Sequence, residues 1–158
     1  MNDEITPVTE ELTILEIPFR TFRHPGPVSS LEQAAQERGQ EPEQIVRSLL
    51  FRLAKGYYIM VLIAGPTQVS WPALRQYVGQ SRITMADKGE VLQVTGYKLG
   101  AVSPFGLPIP LRILADESIF KHEEVSIGSG EQGLTVILRS EDLKIALGEV
   151  EIVNLQKT

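Results

Sequence analysis

The groups in this chain best placed to do chemistry are main-chain amides. Residues 95–113 read TGYKLGAVSPFGLPIPLRI, with Gly96, Gly100 and Gly106 set among Pro104, Pro108 and Pro110, and Ser103 at the centre. Glycine lets a backbone approach a ligand closely, and proline holds that backbone still. A rigid loop of this kind presents N–H groups at a fixed place, where they can bind an anion or an oxyanion that develops during attack. The plainer alternative is a tight turn packed on the core through Val102 and Phe105.

Side-chain chemistry is scarce. Ser103 lies in G-A-V-S-P rather than in the G-x-S-x-G elbow of hydrolases. Pro104 pushes it toward extended backbone, which does not suit a strand-to-helix elbow. Cysteine is absent, so thiolate catalysis, disulfides and thiolate zinc clusters are ruled out. His24 and His122 lack metal-ligand spacing. His122 reads as a surface residue, and His24, at a strand end before PGPV, is a candidate for lining a cleft. Glu123 and Glu124 are adjacent on an expected strand and point to opposite faces, so they do not form an acid/base pair. The phosphate-loop and dinucleotide fingerprints are missing. No metal and no cofactor is expected.

Positioning that loop takes a core. The 158 residues suffice for one domain spanning 1–158, and the apolar share of 42% is ordinary. Fifteen basic residues against twenty acidic ones give a net charge of −5, which argues against broad charge-driven nucleic-acid binding but leaves room for a local basic patch. The acidic start, MNDEITPVTEEL, is not a signal peptide, and the apolar run at 59–64 is too short to span a bilayer. A cytoplasmic protein without membrane association is expected.

Thr6 and Pro7 start a helix expected to end near Ile17. FRTFRH (19–24) alternates as a strand, and 29–39 is a helix opened by Ser30 and closed by Gly39. Residues 45–53 and 57–65 are apolar runs around a short glycine turn, hence a hairpin. Ser70 caps a helix with Pro72 in its first turn, RITMA is a short strand, and Asp87 caps a helix to about Val94. Strands are expected at 110–116, 123–129, 134–139 and 149–155, with a helix from Ser140 to Leu147. Helices and strands mix without strict βαβ alternation, which favours an α+β fold with a mixed, barrel-like sheet flanked by helices.

With these segments in order, the chain resembles the YbaK/prolyl-tRNA synthetase-associated editing-domain family. TGYKLGAVSPFG is similar to that family's loop with its G-x-x-x-P, here Gly100 to Pro104. EQIVRSLLFR stands where the family has a lysine, a small residue and an apolar strand, and VSIGSGEQGLTVIL resembles its glycine-rich hairpin.

The resemblance implies a free-standing domain that hydrolyses the ester of mischarged tRNA, tRNA-Pro carrying a small wrong amino acid. The amides around Gly100 and Ala101 would hold the ester carbonyl or terminal ribose, and water would attack with help from a ribose hydroxyl. Arg47, Ser48, Val102, Ser103, Pro104, Phe22, His24 and Thr135 would bind substrate. The implied partners are the tRNA acceptor end and prolyl-tRNA synthetase.

Two positions depart from the family. Arg47 replaces the usual lysine and cannot act as a general base. Thr135 stands where some members of the cysteine-editing branch carry an aspartate. The Arg47 departure motivates the competing expectation, a binding protein that keeps the pocket without the hydrolysis.

Overall fold

The computed structural model describes residues 4–158. Helix α1 (Pro7–Ile14) opens on a reciprocal cap, in which Thr6 accepts from the Thr9 N–H and Thr9 accepts from the Thr6 N–H. It stops before Ile17 because Glu16 takes a left-handed φ of 60° while its N–H and that of Ile17 close back onto Thr13 and Leu12. Strand β1 (Arg20–Arg23) follows, then α2 (Leu31–Arg38), which Ser30 caps and Gly39 ends in the left-handed region at φ 69°.

The hairpin is β2 (Val46–Leu53) and β3 (Tyr58–Ala64), joined through a turn at Ala54–Gly56. Next come α3 (Trp71–Val78), β4 (Ile83–Met85) and α4 (Lys88–Thr95). After the glycine–proline loop lie β5 (Arg112–Asp116), β6 (Glu124–Gly128), β7 (Leu134–Arg139), α5 (Ser140–Leu147) and β8 (Glu151–Val153).

The strands form two sheets, not one closed barrel. One has the order β4-β2-β3-β5-β8, antiparallel across β4, β2 and β3 and parallel from β3 to β8. The other is antiparallel, in the order β1-β7-β6. A parallel bridge, Ile45 to Ser126, joins them where β2 begins. Among the described residues no further pairing holds β2 to β6.

Alternation along the strands places the core. Val46, Leu50, Met60 and Leu62 face Val125, Ile127, Val136 and Leu138 of the smaller sheet, with Val8 and Leu12 of α1 and Leu143 of α5 closing that layer. The opposite face, Phe51, Ile59, Val61 and Ile63, packs on Leu74 and Trp71 of α3. Central strand β3 is thus covered on both sides, which is why its sequence is an unbroken apolar run. Ala34 and Ala35 let α2 sit close on Ile45, at the bridge between the sheets.

Candidate active site

Where β2 and β6 part, a cavity of about 950 Å³ opens under α2 and the glycine–proline loop. Its first wall is a strand edge. The Gly65 N–H donates to the Ile45 carbonyl (2.7 Å) and the Leu53 N–H to the Tyr57 carbonyl (2.6 Å), so odd-numbered residues of β2 exchange bonds with β3. Even-numbered residues therefore turn their main-chain groups outward. The β4 side reaches only to Leu50, whose carbonyl accepts from the Ala86 N–H (3.0 Å), and β6 reaches only to Ile45. The main chain of Ser48 between them has no described strand beside it and faces the cavity. The Ser48 hydroxyl is buried and also without a partner among the described residues.

The second wall is the loop, pinned at both ends. Tyr97 donates its hydroxyl to the Phe105 carbonyl (2.7 Å), and burial pushes its pKa up to about 12, so it stays a donor. The Phe105 N–H donates to the Ser103 hydroxyl (3.3 Å), and the Gly106 N–H to the Glu11 carboxylate (2.6 Å). The Ala101 N–H is spent on the Lys98 carbonyl (3.0 Å), and the Ala101 carbonyl accepts from the Gly130 N–H (2.9 Å). The amides of Leu99, Gly100 and Val102, three residues that line the cavity, have no partner among the described residues. Gly100 holds φ at 89°, a conformation that a side chain would resist.

The third wall is polar and positive. His24 is buried, edge-on to Phe22 with ring centroids 5.0 Å apart. Its Nε2 accepts from Arg38 Nε (3.0 Å), so the proton sits on Nδ1, which donates to Glu37 (2.5 Å). Hydrogen bonds from Gln33 and then His24 hold the Glu37 carboxyl below its usual range. Arg38 Nη1 donates to the Ser126 hydroxyl (2.8 Å), and burial lowers the pKa of this guanidinium to about 10. Arg47 donates an Nη2 proton to the Thr67 carbonyl, its Nε is buried without a partner among the described residues, and desolvation lowers its pKa. Arg23, at the rim, is neutralised by Glu4 and Glu131, each at 2.8 Å. Among the described residues no carboxylate lines the cavity.

Of the residues singled out in the sequence, Gly100, Val102, Arg47, Ser48, His24 and Thr135 line this one cavity. Ala101, Ser103, Pro104 and Phe22 do not. Ala101 is corrected as an amide donor, because its N–H closes a turn. Ser103 is fully buried beneath the loop and holds the Phe105 N–H, so it braces the loop from within. His24, with both ring nitrogens engaged, is no free base. Arg38 and Ser126 join the site without having been expected there, and their 88-residue separation carries no sequence signal. Among the described residues no group of three or more His, Asp or Glu is placed to hold a metal, and no helix is long and apolar enough to cross a membrane.

A parted sheet, a glycine–proline loop and a cavity lined by no carboxylate among the described residues define an α+β domain with a half-enclosed site between its two sheets. The family model of the aminoacyl-tRNA editing domain matches residues 25–145, and the chain belongs to that family. It is 27% identical over 145 residues to the Multifunctional Ser/Thr-tRNA deacylase ProXp-y of Escherichia coli (strain K12), covering 89% of this chain and 85% of that protein. It is 30% identical over 117 residues to the proline–tRNA ligase of Thermotoga sp. (strain RQ2), covering 74% of this chain but only 20% of the ligase. A crystal structure of a protein proposed as a trans-editing enzyme for prolyl tRNA synthetase superposes with a TM-score of 0.84 at 24% identity, covering 98% of this chain and all of that one, and so shares the fold.

Proposed function

We infer that this protein is an aminoacyl-tRNA deacylase acting in trans, one editing domain over its whole length. It hydrolyses the ester between a wrongly attached amino acid and the terminal adenosine of tRNA. The observation that carries this reading is a set of unpartnered amides, Gly100 and Val102 among them, on residues that line a cavity in a chain of the editing family. They stabilise the negative charge that gathers on the ester oxygen as water adds to the carbonyl carbon. The bond from that carbon to the ribose oxygen then breaks, and the ribose oxygen takes up a proton. The cavity's imidazole is occupied on both nitrogens, so a hydroxyl of the substrate's own ribose assists the water.

The open edge at Ser48 suits the aminoacyl group. Its carbonyl and hydroxyl accept hydrogen bonds from the substrate's ammonium, which no cavity carboxylate can attract. The substrate is a tRNA bearing a small wrong amino acid, serine, threonine or alanine on tRNA-Pro among them. The likeness to a Ser/Thr-tRNA deacylase and to proline–tRNA ligases supports this choice, a partnership with prolyl-tRNA synthetase, and a place in the cytoplasm.

The competing reading is a binder without hydrolysis. Arg47, turned onto the Thr67 carbonyl, is the observation in its favour. An assay of the purified protein against tRNAs charged with alanine, cysteine, serine, threonine or proline separates the two. Release of one amino acid well above the buffer rate selects the deacylase, and tRNA binding with no release selects the binder.

A further inference from the structure

The chain pairs most of its arginines. Arg20, Arg23, Arg52, Arg112 and Arg139 each meet a carboxylate. Arg38 makes no such pair among the described residues, although it lines a half-enclosed cavity in a protein of net charge −5. It is also fixed. Nε is held by His24 and Nη1 by Ser126, while Nη2 makes no hydrogen bond to a described residue. The neighbouring Glu37 does not neutralise it by contact, because that carboxylate is turned onto Nδ1 of His24. A guanidinium this desolvated without a counter-ion is costly, and burial already lowers its pKa. An anion from outside the chain would complete it.

We propose that Arg38, aimed by His24 and Ser126, is a phosphate-gripping residue that binds the phosphodiester on the 5′ side of the substrate's terminal nucleotide. The identity of that nucleotide rests on the deacylase reading, whereas the anion site itself does not. In an aminoacyl ester the amino acid's carboxylate is consumed and its amine is cationic. The only negative charges at that end of a tRNA are its phosphates. Guanidinium matches phosphate by charge and by its planar fork of donors. His24 is a positioning residue here. It does not touch the phosphate but fixes the plane of the group that does.

The test is calorimetric titration of the full chain with adenosine 5′-monophosphate, adenosine and inorganic phosphate. Wild type should bind the monophosphate more tightly than adenosine. Arg38→Gln should lose about 10–100-fold in affinity for the monophosphate, the size of a charged hydrogen bond, with adenosine unchanged. His24→Ala should weaken the monophosphate alone, and His24→Gln should restore part of it, since an amide oxygen can accept from Arg38 Nε. Arg38→Lys, which keeps the charge and loses the fork, stands in if Arg38→Gln does not fold, and should fall below wild type.

Equal binding of adenosine and the monophosphate by wild type overturns the proposal. So does unchanged monophosphate binding in folded Arg38→Gln, or in Arg38→Lys where that variant stands in. Inorganic phosphate binding as tightly as the monophosphate would overturn the nucleotide assignment. If no charged tRNA is hydrolysed yet the monophosphate result holds, the deacylase reading fails and the phosphate grip stands. Hydrolysis with no monophosphate preference has the opposite meaning.

Discussion

The carbonyl of Val102 occupies the space that a side chain at Gly128 would need. A Cβ built on Gly128 falls well inside contact distance of that oxygen. The glycine is required here by close approach and not by an unusual φ. Through this contact the end of β6 sets the height of the loop over the cavity.

Gly128→Ala should therefore act on the loop rather than on the strand. It should lower stability by about 1–3 kcal/mol, as overpacking does, and reduce deacylation by more than that loss of folded protein explains. A denaturation curve beside a single-turnover rate checks both effects.

Ser103→Ala removes a buried acceptor and leaves the Phe105 N–H unpaired. The expected cost is about 1–3 kcal/mol of stability with hydrolysis largely retained, because Ser103 braces the loop and does not attack the ester. Mass spectrometry of wild type quenched during turnover should find no acylated serine. An acyl group on Ser103 would sink the backbone mechanism.

Arg47→Ala should weaken binding of the tRNA end. Its salt slope should fall by about 0.7, the change expected when one phosphate of a single strand is no longer neutralised. Arg47→Lys should keep or raise activity, since a lysine can reach the cavity without the Thr67 tie. Identical binding isotherms at several salt concentrations for wild type and Arg47→Ala would remove this residue from the site.

Helix α4, which launches the loop, is tied to the hairpin through Glu90. Its carboxylate accepts from Tyr58 Oη (2.6 Å), from the Asp87 N–H (3.1 Å) and from Arg52 Nη1 (2.7 Å). These donors, Tyr58 first, pull its pKa from 4.5 down to about 2. A depressed carboxylate stabilises the fold above its unfolded value, and that contribution is lost as pH falls through the folded one. Thermal midpoints should therefore drop between pH 4.5 and about 2, and Glu90→Gln should flatten this limb while lowering the midpoint at pH 7. An unchanged acid limb in Glu90→Gln would show that other carboxylates carry it.

Most elements were legible because their ends are chemically marked. Ser30, Ser70 and Asp87 cap helices, and Gly39, Gly79 and Gly96 end them in the left-handed region. Helix α1 ends short of Ile17 because its terminator is Glu16, a residue type that seldom adopts positive φ and so gives no stop signal. The last strand is also shorter than its apolar pattern, Glu151–Val153 within 149–155. The loop was legible from Gly100 and Pro104, but which of its amides remain free was not, since that depends on the turn in which the Ala101 N–H donates to the Lys98 carbonyl. The split into two sheets and the His24–Arg38–Ser126 cluster rest on contacts between distant segments, which no local pattern encodes.

The Gly100 amide is assigned the central role, that of an oxyanion donor. A Cβ at Gly100 would meet no atom within 4 Å, so Gly100→Ala strains only the backbone at φ 89° and tests the placement of that N–H. The deciding measurement is the single-turnover deacylation rate of Gly100→Ala on the tRNA that wild type hydrolyses fastest, taken well below its melting temperature. A fall of about 10²–10³-fold in a protein that still folds is the predicted result. A wild-type rate in the folded variant would contradict it.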